Sequence, residues 1–137
     1  MSDLIQDRAA LEALVIRFTD AFNRDDLDGV MTLMAEDAVY DEFNGTRNRG
    51  RAAIREAFVP QFRGDYGTLR FHTEDLFVDP VAGKALIRWV CTLDTKRGPA
   101  AWRGLDILHV RNGLVTEKHT YAKAKTLRFT ERGTPAE

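Results

Sequence analysis

The most constraining feature of the chain is the dipeptide Asn112-Gly113, set between the strand-like runs WRGLDILHVR and LVTEKHTYA. A two-residue type I′ turn needs positive φ at both central positions, and Asn-Gly accepts that geometry with little strain. The pair predicts a hairpin, and a hairpin closed by two residues sets its own register. With Arg111 opposite Leu114, counting back places Leu108 against Glu117, Asp106 against His119 and Gly104 against Tyr121. Residues directly opposite on one face lie in contact range. On this register a carboxylate meets an imidazole, and the glycine leaves room for a ligand beside the tyrosine.

The counting extends one strand back. A loop of two or four residues within 96–99 pairs Thr95 with Ala100. Trp89 then stands opposite Asp106, Cys91 opposite Gly104, Ile87 opposite Leu108 and Leu93 opposite Trp102. One face of that strand reads Ile87, Trp89, Cys91, Leu93, with Asp106 in the middle of it. Apolar surroundings disfavour a charged carboxylate. A perturbed carboxylate in a cleft is a candidate for function.

Length and charge narrow the classes. A chain of 137 residues fits one domain with a real core. Its net charge of −1 leaves no electrostatic footprint for nucleic acid or an anionic membrane surface. No run reaches membrane-spanning length. The opening MSDLIQDRAALEA lacks the basic-then-apolar form of a signal peptide, so a cytoplasmic protein is expected. The single cysteine, Cys91, excludes an intramolecular disulfide and reads as a small buried apolar side chain.

Taken in order, Asp3 with Gln6 resembles a capping pair. Leu11, Leu14, Val15, Phe18 and Phe22 follow at helical spacing, predicting a first helix to about Arg24. Asp25-Asp26 offers a new N-cap for a second helix through Leu27, Val30, Met31 and Met34. Residues 38–43 read as a strand, Asn44-Gly45 as a hairpin turn and 46–49 as a weak return strand. Gly50 precedes a third helix, which Pro60 ends or kinks. Residues 69–78, 84–95, 101–111 and 114–124 read as strands, and the polar tail 132–137 as frayed. Helices first and antiparallel strands after predict an α+β fold with helices on one face of the sheet. Leu86, Val90, Leu105 and Ile107 fall on the other face. A sheet apolar on both sides needs a second cover, and a homodimer packed through this face is expected.

Three segments, DDLDGVMTLMAEDAVYDEFNG, GRAAIREAF and GLDILHVRNGLV, resemble the nuclear transport factor 2-like superfamily. That superfamily contains steroid Δ-isomerases and SnoaL-type polyketide cyclases. The resemblance covers roughly residues 5 to 125. It implies a cone-shaped roll, with N-terminal helices packed on a strongly curved mixed sheet. It also implies an apolar pocket for a small hydrophobic molecule and chemistry by cofactor-free proton transfer, with isomerases, cyclases, dehydratases and non-catalytic binders sharing the fold. Asp106 matches the isomerase acid that donates to the developing enolate oxygen. Glu42 matches the general base without a gap, and Asp41 does so with a slip of one residue. Phe18 stands where the isomerases place the tyrosine of their oxyanion hole. The missing donor is the kind commonly worth a few kcal/mol of transition-state stabilisation. The Asp–Arg–Asp pattern of epoxide hydrolases fails at Thr120.

The resulting site has Asp106, His119 and Glu42 as acid–base residues. Trp89, Tyr121, Phe18, Tyr40, Asp41, Trp102 and Leu108 are the expected ligand contacts. Against this stand plainer readings: a buried polar pair bracing the hairpin, or, with a three-residue turn, an ion pair between Asp106 and Lys118. His72 and His109 share no face with His119 on the in-register hairpin, and no HxH or HxxxH spacing occurs. No metal and no cofactor are expected.

Overall fold

The hairpin forms where Asn112 and Gly113 place it, with φ of 55° and 76°. The computed structural model describes residues 7–123. The Asp3–Gln6 cap, residue 124 of the last strand and the tail 132–137 lie outside these residues.

Asp7 caps the first helix, accepting a bond from the Ala9 N–H at 3.2 Å. This helix, α1 (Arg8–Asn23), turns Leu11, Leu14, Val15, Phe18, Ala21 and Phe22 into the core. Asp26 caps α2 (Leu27–Thr32) by accepting from the Gly29 N–H at 2.9 Å. Met34 opens β1 (Met34–Asp41) instead of extending that helix. The Asn44-Gly45 turn leads to β2 (Arg47–Arg49), and Gly50 leads to α3 (Arg51–Arg63). Pro60 lies inside α3, which runs on to Arg63 and closes at Gly64 in the left-handed conformation. Four strands complete the chain: β3 (Thr68–Asp79), β4 (Lys84–Thr95), β5 (Gly98–Arg111) and β6 (Leu114–Lys123).

The strands form one sheet in the order β2-β1-β6-β5-β4-β3. β1 runs parallel to β6 and the other neighbours are antiparallel. The helices cover its inner face. The Asn23 side chain clamps α1 to β3 by exchanging two bonds of 2.8 Å with the Phe71 backbone. The architecture is the helix-on-mixed-sheet α+β fold read from the sequence.

The registers differ from the counted ones in two ways. Between β4 and β5 the turn is Lys96-Arg97, and Thr95 pairs with Gly98. Every partner shifts by two: Ile87 faces Asp106, Trp89 faces Gly104 and Cys91 faces Trp102. A shift of two keeps the same face, so the apolar surround of Asp106 survives. Between β5 and β6 the change is larger. Arg111 pairs with Leu114 and Val110 with Val115, but His109 then pairs with Glu117. Thr116 is an extra residue in β6, and its hydroxyl donates to the His109 carbonyl at 3.1 Å. A bulge of one residue turns every later side chain to the opposite face.

Candidate functional site

The bulge decides what faces the interior. Lys118, Thr120 and Ala122 point inward; Glu117, His119 and Tyr121 point outward. Asp106 lies opposite Thr120, not His119, and His119 pairs with Ile107 on the outer face. The expected Asp106–His119 pair does not form.

Asp106 accepts three hydrogen bonds instead. Trp89 Nε1 donates to Oδ2 at 3.0 Å; Lys118 Nζ and Thr120 Oγ1 donate to Oδ1 at 2.9 and 2.5 Å. Lys118 also donates to Thr120 Oγ1 at 2.7 Å and lies 4.7 Å from the centre of the Tyr40 ring. The side chains of Lys118 and Asp106 are 8% and 11% exposed. An isolated charge at such a site is expensive; this pair is matched in sign and held by further hydrogen bonds. Surrounded by three donors, Asp106 plays an acceptor's part.

Above this group lies a cavity of about 340 Å³. Phe18 and Phe22 of α1, Phe58 of α3 and Leu69, Phe71, Trp89 and Leu93 of the sheet make its apolar wall. Tyr40, Asp106, Lys118 and Thr120 supply polar groups. Burial foremost, and the Asp106 and Glu42 carboxylates after it, push the Tyr40 phenol far above its ordinary range, so it remains a neutral hydrogen-bond donor. Glu42 lines the same cavity and accepts from Asn48 Nδ2 at 3.0 Å. Phe43 and Tyr66, 60% and 55% exposed, lie at the cavity's solvent side with Trp102, whose ring centre is 6.4 Å from that of Phe43. Cys91 is on the wall, and burial pushes its thiol up to about 12, far from a reactive thiolate.

The structure therefore brings together Asp106, Glu42, Phe18, Tyr40, Trp89 and Trp102. It separates the rest. Leu108 is buried, but it packs in the core outside the cavity lining. Tyr121 is on the outer face and 59% exposed. The space at Gly104 is not open: a Cβ there would run into the Trp89 indole. Asp41 is on the outer face, bound by Arg47 at 2.6 and 2.8 Å and by His119. Lys118 and Thr120 were missed as site residues, except that the Asp106–Lys118 pair was the alternative hairpin outcome. The sequence 117–121 alternates no apolar pattern that would reveal which face is inward. His109 and His119, expected on different faces, share the outer one, their ring centres 5.4 Å apart.

Among the described residues, no helix is long and apolar enough to cross a membrane. The SnoaL-like domain family matches residues 15–118. A candidate polyketide cyclase from Xanthomonas campestris pv. campestris superposes with a TM-score of 0.74 at 24% identity, covering 85% of this chain and 92% of that one. An NTF2-like protein of unknown function from Mesorhizobium loti gives 0.72 at 26% identity, covering 85% and 93%. A candidate ketosteroid isomerase from Kribbella flavida gives 0.73 at 22% identity, covering 93% and 88%. No curated protein matches the chain. These likenesses establish the fold.

Proposed function

We propose that this chain, which belongs to the SnoaL-like domain family, binds a small, mostly apolar, carbonyl-bearing molecule and moves a proton on it without a cofactor. The observation that carries the reading is the buried Lys118–Asp106 pair at an apolar cavity. Lys118 uses two of its three N–H donors on Asp106 and Thr120, which leaves one for a ligand oxygen. Glu42 is the base: it takes a proton from the carbon beside the carbonyl, and the C–H electron pair passes into an enolate. The Lys118 ammonium and the Tyr40 phenol donate to the oxygen on which that charge develops. The acid formed at Glu42 returns the proton to the same or a neighbouring carbon. Asp106 positions Lys118. General acid–base groups of this kind contribute about 10²–10⁴-fold.

Deuterium exchange tests the reading without a known substrate. Cyclic ketones such as 2-tetralone are incubated in D₂O with the protein, and loss of the α-proton signal is followed by NMR. Wild type is expected to accelerate exchange, and Glu42→Gln to lose about 10²-fold or more of that acceleration. Saturable ketone binding with no acceleration would replace this reading with a non-catalytic ligand binder. The satisfied Asp106–Lys118–Thr120 network supports that alternative, since all three residues already have partners without a ligand.

A second copy of the chain over the outer face belongs to the same reading. Leu86, Val90, Leu105 and Ile107 lie there with Phe77 and Tyr121, 56% and 59% exposed. Exposed apolar side chains on one face commonly mark an interface. A monomeric mass by light scattering at micromolar concentration would refute it.

A further inference from the structure

The bulge that puts Lys118 inside also gathers His109, Glu117 and His119 on the outer face. One ligand atom from each lies within 4.8 Å of the others. Glu117 stands between the rings, with Oε2 3.5 Å from His109 Nδ1 and Oε1 2.7 Å from His119 Nε2. On the far side of His119, Nδ1 lies 2.8 Å from Asp41 Oδ2. His119 therefore has a carboxylate oxygen at each ring nitrogen. A neutral imidazole has one N–H and satisfies only one of them. The other nitrogen turns its lone pair to an anion unless a cation, either a proton or a metal ion, sits between.

We propose that this cluster binds a divalent transition metal, zinc foremost, through His119 Nε2, His109 Nδ1 and a Glu117 oxygen, with Asp41 fixing His119 as the Nδ1–H tautomer. Two histidines and a carboxylate form a donor set that zinc accepts with a fourth position open. Imidazole nitrogens select against magnesium and calcium. Ligand atoms about 2.0–2.1 Å from a tetrahedral ion lie roughly 3.4 Å apart. One ligand atom from each residue already lies within 4.8 Å of the others, so no contact has to close by more than about 1.4 Å, and with Oε1 as the ligand the 2.7 Å contact to His119 opens by less than about 1 Å. Glu117 is 40% exposed at its side chain and has room to rotate. A carboxylate on the non-ligating nitrogen is the support that metal-bound histidines ordinarily have. Two cations lie nearby: Arg47, which is bonded to Asp41, and Lys84, which acts on His109. Protons compete with zinc for imidazole nitrogens, so binding weakens in acid. The cluster is on the face opposite the cavity, where His119 pairs with Ile107 of the proposed dimer surface, so the fourth position falls at that interface, and the inference stands apart from the proposed proton transfer.

The test is calorimetric titration of the full chain, stripped with EDTA, with zinc chloride near neutral pH and magnesium chloride as the control. One zinc per chain is expected, with a dissociation constant in the micromolar range or tighter, and no magnesium binding. Glu117→Gln and His119→Ala should each weaken binding by at least about tenfold, and Asp41→Asn by about 10–100-fold with the stoichiometry kept. His72→Ala, which removes a histidine bonded to Thr92 elsewhere on the sheet, should change nothing. Circular dichroism establishes that each variant is folded. The absence of saturable zinc binding by wild type would overturn the proposal. So would folded Glu117→Gln and Asp41→Asn variants that bind as tightly as wild type.

Discussion

Replacing Lys118 with methionine removes a charge while keeping most of the side chain's bulk. The Asp106 carboxylate is then left in an apolar wall with Trp89 and Thr120 as its remaining donors. Breaking a buried ion pair by deleting one partner costs about 3–5 kcal/mol. The two surviving hydrogen bonds place this case at the low end, about 3 kcal/mol. Unfolding entropy is about 2.1 cal/mol/K per residue, so in a chain of 137 residues each kcal/mol is worth roughly 3.5 °C. The expected loss is about 10 °C in Tm, measured by circular dichroism and paired with urea unfolding to obtain the free energy. The decisive comparison is the double variant Lys118→Met/Asp106→Asn. It removes the stranded charge and keeps an acceptor for the Trp89 N–H. It should recover to within about 1.5 kcal/mol of wild type, because the larger penalty belongs to the unpaired ion. A Lys118→Met loss below about 1 kcal/mol, or a double variant no more stable than the single, would refute the reasoning.

Gly104→Ala should cost about 1–3 kcal/mol and alter tryptophan emission, because the new methyl group displaces the Trp89 indole that reaches Asp106; unchanged stability and emission would contradict the packing. Cys91, its thiol pushed up to about 12 by burial, should resist iodoacetamide in the folded protein and react on unfolding in urea; rapid alkylation of the native chain would count against a closed wall. Arg47 first and His119 after it hold Asp41 below its ordinary range, and the His119 bond does the same for Glu117. A depressed carboxylate contributes stability that is present above its unfolded value and is lost as pH falls through the folded one. Stability should therefore decline in acid below about pH 4.5, and Asp41→Asn and Glu117→Gln should flatten that limb in urea titrations across pH. His109, lowered from 6.5 by desolvation, takes its proton more readily in the unfolded chain, so stability should also fall as pH drops below that value; His109→Gln should remove this step.

Much of the fold was legible because local chemistry and tertiary structure agree. Asp26 caps a helix, Gly50 precedes another, and Asn112-Gly113 closes its hairpin. The apolar face Ile87, Trp89, Cys91, Leu93 is buried as its alternation indicates. A two-residue error in the neighbouring register did no harm to that face. The site was legible in part. Asp106, Trp89, Tyr40 and Phe18 come together, while His119, Asp41 and Tyr121 lie across the sheet.

By itself, then, the sequence determined the order of the elements, the apolar faces and the presence of an acid among aromatic residues, because propensity, capping and hydrophobic period act over a few neighbours. Tertiary structure decided what meets that acid. In β6 the run Glu117-Lys118-His119-Thr120-Tyr121 has no hydrophobic alternation to choose a face. The choice falls to one extra residue, Thr116, held by the His109 carbonyl across the ladder. That bulge sends the lysine to the carboxylate and the imidazole to the opposite side, since strand side chains alternate with period two and one inserted residue reverses them all.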